Sequence, residues 1–250
     1  MIPITYAVPD AKTSPIFAKA FARGCGGRVE FGTDLSPGPV AMFGSPLRWD
    51  LLQQAFREGR TVYYADHGYF GRHRYFRITR NGYQHDGTGD AEPSRFAKFN
   101  RPIQKWRTDG RHVLICPNSE TYFRLFGLDV HAWVRQATQL IAGHSDRPVK
   151  VRWKGQAQPI QADLEHCWAV VTYSSAAALD ALIAGVPVFV LASFAAAFRM
   201  GTPDLTRIES PVYPDGREPF LWNLAQNQWT LDEIRAGDAW RALSRQAVAA

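Results

Sequence analysis

The sequence predicts an α/β fold made of two halves with parallel sheets, and three features support this prediction. Short, apolar, valine-rich runs of strand length alternate with amphipathic stretches of helix length. The stretch VVTYSSAAALDALIAGVPVFV (170–190) has the pattern strand, helix, strand, which implies a parallel pair. The 250 residues, 46% of them hydrophobic, can fill one large core or two compact ones.

The first half alternates strands and helices. Strands are predicted in IPITYAV, RVEF, PVAMFG and TVYYAD, and helices over 14–23 and 47–59. A further strand over 75–80 is followed by the turn signal Asn81-Gly82, so residues 72–84 are predicted to form a hairpin. Residues 86–110 are polar, glycine-rich and basic, which predicts a mobile surface loop at the boundary between the halves.

The second half begins with the strand HVLICP, and a helix follows with Asn118 or Ser119 as its N-cap. A helix over 130–142, the basic strand VKVRWK and the unit at 170–190 come next, and helices are predicted after Glu218 with Thr230 as one N-cap. We therefore expect an N-terminal domain (1–110), a C-terminal domain (111–225) and terminal helices (226–250), with the two halves facing each other across a ligand-binding cleft.

Two adjacent serines, Ser174 and Ser175, stand where the strand before them ends and the helix after them begins. Ligands bind at the carboxyl ends of strands in open α/β sheets, and the backbone N–H groups of a helix start can hold a phosphate. A serine is also a common N-cap. One serine is enough for a cap, so both interpretations remain open.

Composition argues against several classes of protein. No apolar run is long enough to span a bilayer, and MIPITYAVPDAK lacks the features of a secretory signal. The cysteines, Cys25, Cys116 and Cys167, are far apart and form no C-x-x-C pair, which predicts free thiols in a reducing cytoplasm and no zinc site. Neither G-x-G-x-x-G after the first strand nor G-x-x-x-x-G-K-[ST] occurs, which argues against a dinucleotide fold and a P-loop nucleotidase.

The positive charge is concentrated in one segment. Ten basic and four acidic residues lie between Arg72 and Arg111, so this segment matches the whole net charge of +6. Aromatic residues are interleaved with the basic ones, a combination that suits nucleic acid, although an ordinary solvated surface would show the same excess. The residues expected to contact nucleic acid are Arg72, Arg74, Arg80, Arg101, Lys105 and Arg107.

A strand followed by [ST]-x-S, an Ala/Leu helix and G-[VK]-P-V resembles the nucleotide-sugar site of GT-B glycosyltransferases. The pattern is most similar to capsule-polysaccharide and Kdo-type transferases and to phage-encoded, DNA-modifying enzymes. The segment YYADHGYF resembles an acidic-x-Gly-aromatic segment of these families, and VKVRWKG occupies the place of their basic strand motif without its His-Pro. Asp180 stands where these families usually have Glu.

The resemblance implies two Rossmann-like halves of the GT-B type and a nucleotide-sugar donor, expected to be UDP-linked, with no further cofactor. The leaving diphosphate would be held without a metal by helix-start N–H groups and polar side chains. The side chains expected to bind it are Asn118, Ser119, Arg152, Lys154, Tyr173, Ser174 and Ser175. The acceptor hydroxyl needs a base, expected to be Asp66 or else His67, unless Asp66 only braces its loop.

The basic segment and the resemblance to phage enzymes favour a hydroxymethylated pyrimidine in phage DNA as the acceptor. A capsule or lipopolysaccharide enzyme acting on a glycan or lipid-linked sugar is the alternative. A non-catalytic nucleic-acid-binding protein and a sugar-nucleotide epimerase also remain open. We further expect a cytoplasmic monomer without integral membrane association.

Overall fold

A computed structural model describes residues 1–44, 49–72, 74–89 and 91–246 of the chain. Contacts divide the chain into two compact units, each described by itself below. Unit 1 comprises Met1–His85 and Leu224–Ala250, and unit 2 comprises Asp86–Asn223. The expected boundaries at 110 and 225 differ from this division, because residues 86–110 are grouped with unit 2 and the C-terminal segment with unit 1.

Unit 1 contains a six-stranded sheet in the order β10-β5-β4-β3-β1-β2. Strands β1 to β4 are parallel to one another, whereas β5 runs antiparallel to β4, and β10 runs antiparallel to β5 at the edge of the sheet. The strands are β1 (Ile4–Tyr6), β2 (Arg28–Glu30), β3 (Val40–Phe43), β4 (Val62–His67), β5 (Tyr75–Arg80) and β10 (Gln228–Thr230). The helices are α1 (Ser14–Cys25), α2 (Trp49–Arg57), α9 (Leu231–Arg235) and α10 (Asp238–Gln246), and α8 (Arg217–Gln226) crosses the unit boundary.

Two features of unit 1 correct the sequence predictions. Strand β5 pairs with β4 and β10, so the predicted hairpin over 72–84 is wrong. Asn81 has a positive φ of 57°, and its side chain accepts a hydrogen bond from the backbone N–H of Val62, so this turn ends β5. Strand β10 was missed, because three residues between two helices carry too little pattern to be recognised. The start of the helix predicted over 47–59 lies outside the described residues.

Unit 2 contains a four-stranded, fully parallel sheet in the order β7-β6-β8-β9. Its strands are β6 (His112–Ile115), β7 (Val149–Val151), β8 (Cys167–Thr172) and β9 (Val188–Val190). Its helices are α3 (Pro93–Ala97), α4 (Glu120–Leu125), α5 (Val130–Ala142), α6 (Ile160–Asp163) and α7 (Ala177–Ile183), with 3-10 turns at Phe198–Met200 and Leu205–Arg207. One face of the sheet packs against α5 through apolar residues such as Val113, Val171 and Ile141.

The sequence predicted a mobile surface loop over 86–110, but α3 lies within this range, and residues 100–110, called the strap below, are partly exposed and hydrogen-bonded to the segment that contains α7. The backbone N–H of Gln104 donates to the carbonyl of Ile183 at 2.8 Å, and that of Arg107 donates to the carbonyl of Gly185 at 2.7 Å. The buried guanidinium of Arg217 donates to the carbonyls of Gln104 and Leu182 and stacks on Trp106 at 3.9 Å. Hydrogen bonds therefore hold the strap against the C-terminal end of α7 and the residues that follow it.

Thr230 caps α9 in a capping box with Glu233, which confirms the predicted cap. Within the described ranges, the model contains no helix whose length and apolar character would let it cross a membrane.

Candidate functional site

The candidate donor site lies where the chain direction switches in the sheet of unit 2. The chain leaves β6 toward β7 on one side, whereas β8 leads to β9 on the other. The carboxyl ends of two such strands form a topological switch point, the usual ligand position in an open parallel sheet. Asn118 follows β6, and Ser174 and Ser175 follow β8.

The structure brings these two loops together. The Oδ1 atom of Asn118 accepts hydrogen bonds from the backbone N–H of Ser174 at 3.1 Å and from its hydroxyl at 3.3 Å. Thr172 donates its hydroxyl to the carbonyl of Cys116 at 2.7 Å and accepts from the backbone N–H of Ser175 at 2.9 Å. Ser174 is only 1% exposed, so its hydroxyl faces the interior.

The N-cap of α4 is one of the residues that the sequence predicted, whereas the N-cap of α7 is neither of the two serines. Ser119 is the N-cap of α4, since its hydroxyl accepts from the backbone N–H of Tyr122 at 3.4 Å. Ala176 occupies the N-cap position of α7, without a side-chain cap, so neither serine is the formal cap. Ser175 accepts from the backbone N–H of Ala177 at 3.3 Å instead. The backbone N–H groups of Ser174, Ser175 and Ala177 thus all donate hydrogen bonds to side-chain oxygens.

The two basic residues after β7 have different surroundings. Arg152 forms an ion pair with Asp163, donates to the carbonyl of Gln158, and has a side chain only 15% exposed. Lys154 is exposed. The predicted anion-binding role therefore fits Lys154 better, because a carboxylate already neutralises Arg152.

Sequence reasoning missed an aromatic cluster beside the serines. Tyr173 lies 5.4 Å from Phe123, 6.3 Å from Phe126 and 6.1 Å from Phe194, measured between ring centroids. Phe126 and Phe194 stack on each other at 5.0 Å. These rings come from loops and helices after three different strands, and no short sequence window links them.

Asp180, in α7, forms an ion pair with Arg101 of the strap, with 2.7 Å between Oδ1 and Nη2. Burial raises the pKa of the Asp180 carboxyl, and the charge of Arg101 opposes that effect. Arg101 was predicted to contact nucleic acid, but it is engaged here within unit 2.

The predicted base lies at the carboxyl end of β4 in unit 1. One oxygen of Asp66 pairs with Nη2 of Arg77 at 2.8 Å, and the other accepts from the backbone N–H of His67 at 2.7 Å. The Asp66 side chain remains 30% exposed. His67 contacts the carbonyl of Arg72 through Nδ1 at 3.1 Å, and its ring packs on Phe76. Arg77 was counted in the basic segment, but its pairing with Asp66 was missed.

The other basic residues predicted to contact nucleic acid are divided between surface and interior. Arg72, Arg74 and Lys105 are exposed, and Arg80 is half-buried. Arg107 donates to the carbonyl of Leu164 at 2.7 Å within unit 2. The basic segment is therefore no single cationic surface, because part of its charge serves internal contacts.

The three cysteines are free, as the sequence predicted, and all three are buried. Burial raises the pKa values of Cys116 and Cys167 to about 12, so both thiols remain protonated at neutral pH. Across the described ranges, no three His, Cys, Asp or Glu side chains gather in a group that could hold a metal ion. Metal-independent chemistry stays a prediction.

Comparisons with known proteins point to a fold. The chain matches no family model, and no curated protein matches it. Among solved structures, it resembles the β-Kdo 2,7-transferase of KpsC from Thermosulfurimonas dismutans with a TM-score of 0.52 and 12% identity, over 97% of this chain and 100% of that one. The β-Kdo 2,4-transferase of the same organism's KpsC matches with a TM-score of 0.50 and 13% identity, over 89% of both chains.

The likeness confirms the predicted fold class: the chain is a mixed α/β protein with parallel sheets, and its structural neighbours are GT-B-type glycosyltransferases. At this level of identity the similarity is one of fold.

Proposed function

We propose that the chain is a glycosyltransferase that moves a sugar from a nucleotide-sugar donor to a hydroxyl of a glycan or lipid-linked sugar. The contact between Asn118 and Ser174 at the switch point of unit 2 carries this proposal. It joins two loops at the position where parallel sheets bind ligands, and it does so with uncharged polar groups that suit an anionic phosphate.

Donor binding follows from the orientation of the Asn118 amide. Because Oδ1 accepts both bonds from Ser174, the two Nδ2–H donors are directed away from that serine. Negative charge builds on the leaving phosphate as the glycosyl bond breaks, and preorganised donors stabilise it. The Asn118 amide, the partly exposed hydroxyl of Ser175 and the ammonium group of Lys154 supply these donors in our proposal.

Asp66 acts as the general base in the proposed reaction. Its carboxylate is partly exposed and held at both oxygens, so it can receive the acceptor's proton in a defined orientation. His67 is the alternative base: an Nδ1–H that donates to the carbonyl of Arg72 would fix the imidazole in the tautomer whose Nε2 accepts a proton.

The observations favour a carbohydrate acceptor over DNA. Arg101 and Arg107, two of the residues expected to contact DNA, are engaged within unit 2. The similar solved structures are named as Kdo transferases, which makes nucleotide-activated Kdo the first donor to test.

The test is incubation with activated Kdo and with a panel of UDP-sugars, each with an oligosaccharide, a lipid-linked sugar or hydroxymethylated DNA, followed by mass spectrometry of the products. We expect a mass increase of one sugar on a carbohydrate acceptor, and loss of this product in Asn118→Ala. Transfer of a sugar to the hydroxymethylated DNA would instead support DNA as the acceptor. Conversion of the donor without an acceptor would indicate an epimerase, and no affinity for any sugar nucleotide would overturn the proposal.

A further inference from the structure

A row of three polar side chains crosses the sheet of unit 1. Asp66 on β4 lies directly opposite Arg77 on β5, and Arg77 lies directly opposite Gln228 on β10. Residues that face each other on paired strands project from the same side of a sheet. The carboxylate, the guanidinium and the side-chain amide therefore share one face.

Gln228 is fully buried, and both ends of its amide are used. Its Oε1 accepts from the backbone N–H of Phe70 at 3.0 Å, and its Nε2 donates to the carbonyl of the same residue at 2.9 Å. A buried amide is costly unless it is hydrogen-bonded. Here it pairs with the backbone of residues 68–72, the loop that follows β4, as a neighbouring strand would.

The loop lies very close to Gln228. A Cβ atom placed on Gly68 would stand 2.9 Å from Oε1 of Gln228 and 2.8 Å from Cβ of Tyr75. Both distances are shorter than real Cβ contacts, so a side chain at position 68 would displace the loop. The backbone N–H of Gly68 also donates to the carbonyl of Tyr75 at 2.7 Å. Gly68 thus permits the contact that Gln228 makes.

The same loop contacts the groups that hold Asp66. The guanidinium of Arg77 lies over the ring of Tyr69 at 5.0 Å, donates to the carbonyl of His67 at 3.1 Å, and pairs with the Asp66 carboxylate. The hydroxyl of Tyr69 accepts from the backbone N–H of His85 at 2.7 Å. A displacement of Tyr69 would therefore reach Asp66 through Arg77.

We propose that Gln228 is a positioning residue for Asp66: it holds the loop of residues 68–72 by the backbone of Phe70, and the loop holds Arg77 against the carboxylate. This inference rests on the proposed function, in which Asp66 is the base. It gives the C-terminal segment, which was predicted only as helices, a part in the reaction. Misplacement of a reacting group by about 1 Å costs on the order of 100-fold in rate.

The test compares Gln228→Met and Gly68→Ala with a control, Thr79→Val. Methionine is close to glutamine in length but lacks the amide, and the alanine disturbs the same contact from the loop side. Thr79 is also buried, and its hydroxyl contacts the carbonyls of Tyr64 and Gly82, so the control removes a buried hydrogen bond from the same sheet without touching the loop.

Three quantities are measured on the full chain: hydrogen exchange of the loop amides, the NMR signals of the Arg77 guanidinium, and kcat and donor KM. We expect Gln228→Met and Gly68→Ala to speed exchange at Phe70 about tenfold or more and to shift the Arg77 signals. Turnover should fall about 10- to 100-fold with donor KM nearly unchanged. Thr79→Val should leave all three near the wild-type values.

Unchanged exchange and unchanged Arg77 signals in both test variants would overturn the positioning role, whatever the activity. Wild-type turnover in Gln228→Met, alongside an inactive Asp66→Asn, would overturn it while leaving the proposed function intact. Full activity of Asp66→Asn would refute the base assignment and with it the positioning role. A wild type that is inactive with every donor would count against the proposed function, and the exchange and NMR results would still decide whether Gln228 holds Arg77.

Discussion

The carboxyl edges of the two sheets are built from different chemistry. In unit 2, the loops after β6 and β8 are joined by uncharged groups: the Asn118 amide with Ser174, and the Thr172 hydroxyl with the carbonyl of Cys116. In unit 1, the edge at β4 is organised by a charged pair, Asp66 with Arg77. The first edge presents hydrogen-bond donors and partial charges, and the second presents a held carboxylate.

This difference matches the two needs of glycosyl transfer. A leaving phosphate needs donors without a competing negative charge nearby, and an acceptor hydroxyl needs a fixed proton acceptor. Three carboxylates of unit 2 have cationic partners: Asp163 pairs with Arg152, Asp180 with Arg101, and Glu120, next to Ser119, with Arg124. We therefore expect changes at the edge of unit 1 to alter turnover and changes at the edge of unit 2 to alter donor affinity.

The largest effect is expected at Asp66. Asp66→Asn keeps the shape of the side chain and removes the proton acceptor, so turnover should fall by about 100-fold or more, with donor affinity nearly kept. Steady-state kinetics and calorimetric donor titration measure the two quantities. Asp34→Asn, an exposed carboxylate in the same unit, is the control. An active Asp66→Asn together with an inactive His67→Ala would move the base to the neighbouring residue.

The sequence predicted much of the edge of unit 2 and less of unit 1. The Ser-Ser stretch lies in a strand-helix-strand unit whose parallel geometry is local, so its position at the end of β8 follows from a short window. Its contact with Asn118 needed only the rule that parallel strands end at the same edge. The orientation of the Asn118 amide could not be predicted from the sequence, because it depends on the contact with Ser174 in the folded chain.

In unit 1, the partners of Asp66 come from distant parts of the sequence. Arg77 lies opposite Asp66 through an antiparallel pairing that a turn signal at Asn81-Gly82 obscured. Gln228 is in a three-residue strand far along the chain, and no periodicity marks it. The basic segment was misleading for a similar reason: the sequence shows charge, but the ion pair of Arg101 with Asp180 depends on tertiary contacts.

A second prediction concerns the serines. Ser174→Ala with Ser175→Ala should weaken donor binding by about 1.5–3 kcal/mol for each hydrogen bond lost to a charged group. Because Ser174 faces Asn118, we expect most of the loss from Ser175, so Ser175→Ala alone should nearly reproduce the double variant. Calorimetry with the accepted donor measures the affinities, and Ser193→Ala, exposed after β9, is the control. Equal donor affinity in the wild type and the double variant would show that the loop after β8 does not bind the donor phosphate.

A third prediction tests whether the strap serves structure or acceptor binding. Arg101→Gln removes the charge beside Asp180 and should lower the free energy of unfolding by roughly 1 kcal/mol, because the pair is partly exposed. Lys105→Gln, at an exposed position of the same strap, should leave stability unchanged. Urea denaturation measures both variants. Filter binding to DNA at several salt concentrations then asks whether either variant changes affinity, and a loss in Arg101→Gln without loss of stability would support DNA instead.

The pH dependence of this pair has a defined sign. Burial raises the pKa of Asp180 in the folded state, so the folded chain binds a proton more readily than the unfolded chain does. Stability contributed by this group is therefore greatest at acidic pH and is lost as pH rises through the folded pKa. Arg101→Gln should enlarge that loss, since the guanidinium favours the charged carboxylate. A smaller loss in the variant would contradict the pairing.

The smallest effect is expected at His112, at the opposite end of β6 from Asn118. Burial lowers the pKa of its imidazole, although the nearby carbonyl of Asp163 opposes this. Because the folded pKa is depressed, the unfolded chain takes up the proton first. Stability is therefore present at neutral pH and is lost as pH falls below the ordinary histidine value of about 6.5.

His112→Gln removes this titration while keeping a group that can donate to the Asp163 carbonyl, so the free energy of unfolding should fall less between pH 7 and pH 5 than in the wild type. Other titrating groups are common to both proteins and cancel in the difference. Donor affinity at pH 7 should be unchanged, since His112 begins β6, whereas Asn118 and the proposed donor site follow the other end of that strand. A variant with weaker donor binding but wild-type pH dependence would show that donor affinity depends on more of unit 2 than the residues that follow β6 and β8.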